Sequence, residues 1–209
     1  MNEDRDGRVE ALRAQLEEHR DVVAEASRLL PDVERLATLI VQSLARGGRV
    51  LTFGNGGSAA DAQHFAAELV GTFGSRRPAL AALALSSDPS IVTAIANDFG
   101  LAEVFARQVE GQARPGDVVI GITTSGRSEN VVRGLAAARV RGATAVAFTG
   151  RDGNAAAEAA DLTLSVASTK TARIQEAHTL LVHLVCGLVD AWAVERADSS
   201  APRRPDDRV

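Results

Sequence analysis

The sequence predicts an α/β fold built on a five-stranded parallel sheet. Three observations carry that expectation. Five short apolar runs, at residues 50–53, 80–85, 118–122, 143–148 and 162–166, alternate with helical runs. Such alternation makes neighbouring strands parallel and joins them by right-handed crossovers. Hydrophobic residues make up 45% of the chain but aromatics only 3%, with no Tyr and one Trp. A core of Ala, Val, Leu and Ile suits closely packed helices over a buried parallel sheet. Finally, two amphipathic helices precede the first strand, and a long helical run, about 171–194, follows the last.

The elements follow in order. Val9, Leu12, Leu16, Val23, Ala26 and Leu30 recur at helical spacing, and Pro31 breaks the run. A second helix over 32–45 carries Val33, Leu36, Leu39, Ile40 and Leu44 as its stripe, with Gly47 and Gly48 ending it. No strand precedes these two helices, so their apolar faces are expected to bury against another subunit. Further helical runs cover 59–70, 88–97, 101–112, 129–141 and 154–159. Beyond Glu195, residues 196–209 are charged and contain proline, and disorder is expected there. The chain therefore reads as one domain over 1–195, with a helical extension at about 5–46.

Composition excludes several classes. A length of 209 residues suits one ordinary domain with a proper core. The net charge of −4, with both signs scattered, gives a nucleic-acid partner no electrostatic support. One cysteine, Cys186, excludes an internal disulfide framework and reads as a small buried hydrophobe. Residues 1–7 are polar and charged, unlike a signal segment. No run approaches the ~18 apolar residues of a membrane span, so no membrane partner and a cytoplasmic location are expected.

Four stretches carry chemistry. The first strand feeds Gly54-Asn55-Gly56-Gly57-Ser58, which opens a helix bearing His64 and Glu68. Four residues apart, those two stack one turn above the other and suit metal binding or proton transfer. The turn also partly matches a dinucleotide fingerprint through Gly54, Gly56 and Ala59. The acidic residue that a nicotinamide site requires is missing, and Arg76 or Arg77 would have to serve a 2′-phosphate. The third strand ends in Thr123-Thr124-Ser125-Gly126-Arg127-Ser128 at a helix start, where hydroxyls, backbone N–H groups and the helix dipole favour a phosphate. Capping alone needs only one hydroxyl, that of Ser128. Asn97 and Asp98 either bond sugar hydroxyls or terminate a helix. In the last helix, Gln175 and His183 stand eight apart, roughly 80° around and about 12 Å along it. With His64 and Glu68 they make a mixed N/O ligand set of the kind Zn²⁺ accepts.

Taken in order, these motifs resemble the sugar isomerase (SIS) domain proteins, specifically the phosphoheptose isomerases. The resemblance covers about residues 5–195 and rests on five segments. They are Gly54-Asn55-Gly56-Gly57-Ser58, Asp61-Ala62-Gln63-His64-Phe65, Asn97-Asp98-Phe99-Gly100, Thr124-Ser125-Gly126 with Ser128, and Arg173-Ile174-Gln175-Glu176. It implies a three-layer flavodoxin-like SIS domain and a homotetramer with active sites at subunit interfaces. It implies that Asn55, Gly56, Gly57, Ser58, Asn97, Asp98 and Gln175 bind the sugar, and that Thr123, Thr124, Ser125 and Ser128 hold its phosphate. It implies one zinc per subunit on His64, Glu68, Gln175 and His183, with Glu68 as catalytic base and His183 as acid. The implied reaction converts sedoheptulose 7-phosphate to D-glycero-D-manno-heptose 7-phosphate through an enediol. A non-enzymatic SIS adaptor that binds a replication initiator resembles the same segments, but there the Glu68 and His183 positions lack the catalytic residues. Isomerisation of another sugar phosphate is the third reading. Three departures bear on substrate preference: Thr123 stands where Ser is usual, Arg127 where Asn is common, and Ala59-Ala60 where some members carry His and Cys.

Overall fold

The computed structural model describes residues 2–151 and 155–200. Two helices come first, α1 (Asn2–Ala26) and α2 (Leu30–Ala45), joined through a 3₁₀ turn at Ser27–Leu29. The chain then alternates through β1 (Val50–Gly54), α3 (Gly57–Val70), β2 (Ala82–Ala84), α4 (Pro89–Phe99), α5 (Val104–Gln112) and β3 (Val118–Ile122). It finishes through α6 (Glu129–Val140), β4 (Thr144–Thr149), α7 (Ala155–Glu158), β5 (Leu162–Ser165) and α8 (Thr171–Ser200). All strand pairs are parallel and the sheet order is β2-β1-β3-β4-β5, the flavodoxin-like arrangement. The expected α/β class and five-stranded parallel sheet are therefore present.

Period-2 alternation divides the strand residues between two cores. Val50, Val118, Ile120, Ile122, Val146, Phe148 and Leu164 face α2, α3 and α8, and all are buried. Leu51, Phe53, Val119, Ala145 and Ala147 face the opposite layer with Phe105 and Val109 of α5 and Val131 and Leu135 of α6. Helix α8 supplies Ile174, Ala177, Leu181, Val182, Val185, Cys186 and Val189 to the first core. Cys186 is buried as expected, and that burial pushes its thiol up to about 12.

Five expectations need correction. The apolar stripe of α2, expected to bury against another subunit, packs on the sheet and α8 of the same chain. The break between the first helices lies at Ser27–Leu29, because Pro31 falls within the first turn of α2, where its missing N–H costs nothing. Strand β2 keeps only three residues of the apolar run at 80–85, since it is the sheet's edge and pairs on one side alone. Helix α8 continues to Ser200, into the segment expected to be disordered; the rest of that segment, 201–209, lies outside the described residues, as does the start of the run at 154–159. Finally, Thr171–Ala197 is long and apolar enough to cross a membrane, contrary to the sequence count. Half of that stretch is buried against the sheet and α2, as suits a core helix.

His178 lies in the third turn of α8, fully buried beside Phe148. Its Nε2–H donates to the Thr149 carbonyl at 3.1 Å, which leaves Nδ1 without a partner. Burial lowers its pKa from 6.5 to about 4. The folded state thus resists a proton that the unfolded state accepts, so stability rises with pH between about 4 and 6.5. We expect unfolding free energy to fall as pH drops through that window, by up to about 3 kcal/mol from this group. Urea melts across the window should show a slope reduced by up to about one proton in His178→Gln.

Candidate active site

Strands β1 and β3 lie side by side, with Gly54 in register with Ile122 at their carboxyl ends. The chain crosses from β1 to β2 on one side and later returns to β3 on the other. This reversal opens a crevice above the two strand ends, the usual ligand position in such sheets. Both motif loops leave from it.

The first loop turns at Gly56, whose φ of 55° and ψ of −123° favour glycine, and α3 starts at Gly57. A Cβ at Gly57 would lie 2.3 Å from Nε2 of Gln175, so the bare backbone lets the Gln175 amide approach the start of α3. Ser58 is buried beneath this turn. The Asn55 amide is paired on both sides: its Nδ2 donates to Asn130 Oδ1 at 2.8 Å and its Oδ1 accepts from Asn130 Nδ2 at 2.9 Å. This reciprocal pair ties the sugar-type loop to the first turn of α6.

The second loop, 123–128, folds on its own hydroxyls. Thr123 Oγ1 accepts the Gly126 N–H at 3.2 Å and lies 3.2 Å from Ser128 Oγ. Ser125 Oγ accepts the Arg127 N–H at 3.2 Å. Ser128 occupies the N-cap of α6 without a side-chain capping bond. Its hydroxyl therefore faces Thr123 instead of closing the helix end. Thr123, Thr124, Ser125 and Ser128 thus stand on one turn at a helix N-terminus, the arrangement an anion requires.

Half-buried stripes on α3 and α8 meet beside these loops. Thr179 Oγ1 donates to Asp61 Oδ1 at 2.9 Å, one turn before His64 and midway between Gln175 and His183. His64 Nε2 lies 3.0 Å from Glu68 Oε1 and 3.3 Å from His183 Nε2. Ligand-type atoms of His64, Glu68 and His183 all fall within 4.8 Å of one another. Tetrahedral zinc with bonds near 2.05 Å separates its ligand atoms by about 3.3 Å, so the set fits such an ion. Phe73 lies over His183 with ring centres 5.6 Å apart. Burial raises the Asp61 carboxyl above its usual range, opposed by the Thr179 bond and His64.

Asn97 and Asp98 stand apart from this cluster. They close α4 on its exposed side, where Asn97 Nδ2 donates to Asp98 Oδ1 at 2.8 Å. Among the described residues, no hydrogen bond ties them to the other site residues. The cap of α4 is Asp88, which accepts from Ser90 and Ile91 N–H groups. Arg77 is buried, its side chain 1% exposed, so it is not available to a 2′-phosphate. That leaves only the exposed Arg76 of the two arginines for the dinucleotide reading.

Residues 14–150 match the SIS domain family model. The chain is 55% identical over 162 residues to the phosphoheptose isomerase of Aquifex aeolicus, covering 78% of this chain and 85% of that one. It is 53% identical over 180 residues to that of Paramagnetospirillum magneticum, covering 86% and 94%. This chain belongs to the phosphoheptose isomerase family. The solved structure of a phosphoheptose isomerase from Neisseria gonorrhoeae superposes with a TM-score of 0.82 at 44% identity, covering 87% of this chain and 98% of that one. The chain is accordingly an isomerase of the phosphoheptose family, and the His64–Glu68–His183 cluster, with the two motif loops, is its candidate active site.

Sequence reasoning missed Asn130, Asp61 and Thr179. Their roles come from pairing across elements, which has no spacing signature. For Asn130 we expect a double-mutant cycle with Asn55→Ala and Asn130→Ala, read by urea unfolding, to return a coupling of about 1 kcal/mol. Additive losses would mean that the amide pair contributes nothing of its own.

Proposed function

We propose that this isomerase converts sedoheptulose 7-phosphate to D-glycero-D-manno-heptose 7-phosphate, with Glu68 as base and His183 as acid. The convergence of His64, Glu68 and His183 on α3 and α8 carries the reading. The relatives' names support the substrate.

Thr123, Thr124, Ser125 and Ser128 hold the phosphate at the start of α6. This remote anchor supplies binding energy that orients the reacting carbons. Asn55, Gly56, Gly57, Ser58 and Gln175 line the sugar's path through the β1–α3 turn. Glu68 takes a proton from C1 as the C2 carbonyl gains one from His183, giving the enediol. The same carboxylate returns its proton to C2 while the O1 proton passes to the His183 imidazole, so the aldehyde forms at C1 and both groups are restored. One carboxylate suffices because both transfers occur on one face. Oε1 faces His64, and the second oxygen is the one assigned to proton transfer.

His64, Glu68, Gln175 and His183 would hold one Zn²⁺ per subunit. When bound, the ion supplies charge stabilisation at the developing oxyanion. Removing the ion with a chelator should reduce turnover.

The proposal includes a homotetramer in the cytoplasm, with sites shared between subunits. Helix α4 has no buried residue, and Ile91, Phe99 and the neighbouring Leu101 are exposed, as are Val9, Leu12 and Leu16 of α1. A second copy covering α4 would carry Asn97 and Asp98 to a neighbouring site. A tetrameric mass in sedimentation is expected; a monomer would end the shared-site reading.

The direct experiment follows aldose formation from sedoheptulose 7-phosphate by NMR. Wild type should turn over, and Glu68→Gln should lose about 10²- to 10⁴-fold in kcat. Ser125→Ala should act mainly on KM. Full activity in Glu68→Gln would remove the base assignment. An inert wild type, with and without Zn²⁺, would point to another sugar phosphate or to the adaptor reading.

A further inference from the structure

Arg77 and Asp190 have no place in the mechanism above, yet they form the most heavily bonded buried ion pair near it. Their side chains are 1% and 7% exposed, and Arg77 Nε donates to Asp190 Oδ1 at 2.8 Å. The rest of the guanidinium fork is spent on backbone carbonyls. Nη2 donates to Glu68 O at 2.7 Å, and Nη1 donates to Leu69 O at 2.8 Å and to Gly71 O and Pro78 O at 3.1 Å. The second Asp190 oxygen accepts the Ser75 N–H at 3.0 Å.

The carbonyls of Glu68 and Leu69 belong to the last turn of α3, which has no further helical donors. A cation there also matches the negative end of the helix dipole. Asp190 lies on α8, two turns beyond His183 on the same side. The ion pair therefore links the backbone of Glu68 to the helix that carries His183. The Asp61–Thr179 bond links the same two helices before His64. The ligand cluster lies between these two cross-links.

We propose that Arg77 and Asp190 act as a positioning clamp. They hold the last turn of α3 against α8, so that the Glu68 carboxylate and the His183 imidazole keep the separation that metal binding and proton transfer require. The clamp deepens the proposed function and depends on it for the activity measurement, while the metal measurement stands separately. A purely structural ion pair would lower stability alone. A clamp changes the site in protein that is still folded.

Two variants test this. Asp190→Asn keeps the shape and an acceptor for Ser75 N–H but removes the charge. Arg77→Lys keeps the charge but loses the fork that serves several carbonyls together. Circular dichroism in the cold checks folding, and Co²⁺ binding is followed by visible absorption, with Zn²⁺ by chelator competition. Both variants should remain folded, bind metal about 10- to 100-fold more weakly and lose kcat in a similar range. KM should stay put, because the clamp does not touch the phosphate loop. Wild-type metal affinity in both folded variants would overturn the clamp. Unfolding of both would also overturn it, since the pair would then hold the fold and not the site. Metal bound by wild type without turnover would fail the proposed reaction and leave the clamp to be judged on metal affinity. A wild type that takes up no metal would overturn the clamp as stated.

Discussion

The packing of α3 against α8 is the constraint on which the rest of this structure depends. Each helix presents a half-buried polar stripe to the other: Asp61, His64 and Glu68 on one, Gln175, Thr179 and His183 on the other. Polar groups between two core helices are costly unless they are paired. Here Thr179 pairs with Asp61, and His64 stands between Glu68 and His183. The pairing is incomplete, because the second Asp61 oxygen is buried without a partner and burial raises that carboxyl. A helix pair selected for stability alone would fill these positions with Leu or Val, as α8 does on its sheet-facing side. The stripe departs from the rule of apolar core packing, and such departures point to functional positions.

The sheet decides which loops reach that stripe. Because the strand order reverses beside β1, the ends of β1 and β3 share one crevice. The turn at Gly56 and the hydroxyl loop at 123–128 then face each other, and the Asn55–Asn130 amide pair fixes their spacing. A phosphate held at one loop and a sugar at the other would extend toward the α3–α8 stripe. Division of labour follows: the sheet sets the loops, the helix pair sets the reactive groups, and the amide pair couples them.

The fold was largely legible in the sequence because its signals are local. Short apolar runs and period-3.6 patterns located all five strands and the main helices within a few residues. The errors fall where local signals compete with pairing, as in β2, which edge position shortened, or at Pro31, which a first helical turn accepts. The polar residues of the facing α3 and α8 stripes were legible by type and spacing on each helix: His64 with Glu68, Gln175 with His183. What holds them in place was not. Arg77 read as a candidate phosphate ligand, yet its guanidinium is folded inward onto Asp190 and the end of α3. Asp61–Thr179 and Asn55–Asn130 join residues more than seventy positions apart, and no single-sequence period reports such contacts.

The position of Asn97 and Asp98 sets the limit of the single chain. Both resemble sugar ligands by motif, yet they close a helix none of whose residues is buried, and there they bond to each other. The helix is nevertheless well formed, with Asp88 capping its start and Pro89 in its first turn. Ile91, Phe99 and Leu101 nearby are exposed apolar groups that water should disfavour. On the proposed tetramer, this ordered helix with its apolar residues and two polar side chains would be an association surface. On the proposed reading, covering that surface and completing a site are one event. The enzyme's activity would then depend on assembly, and dilution that separates subunits should silence a site whose catalytic cluster is intact.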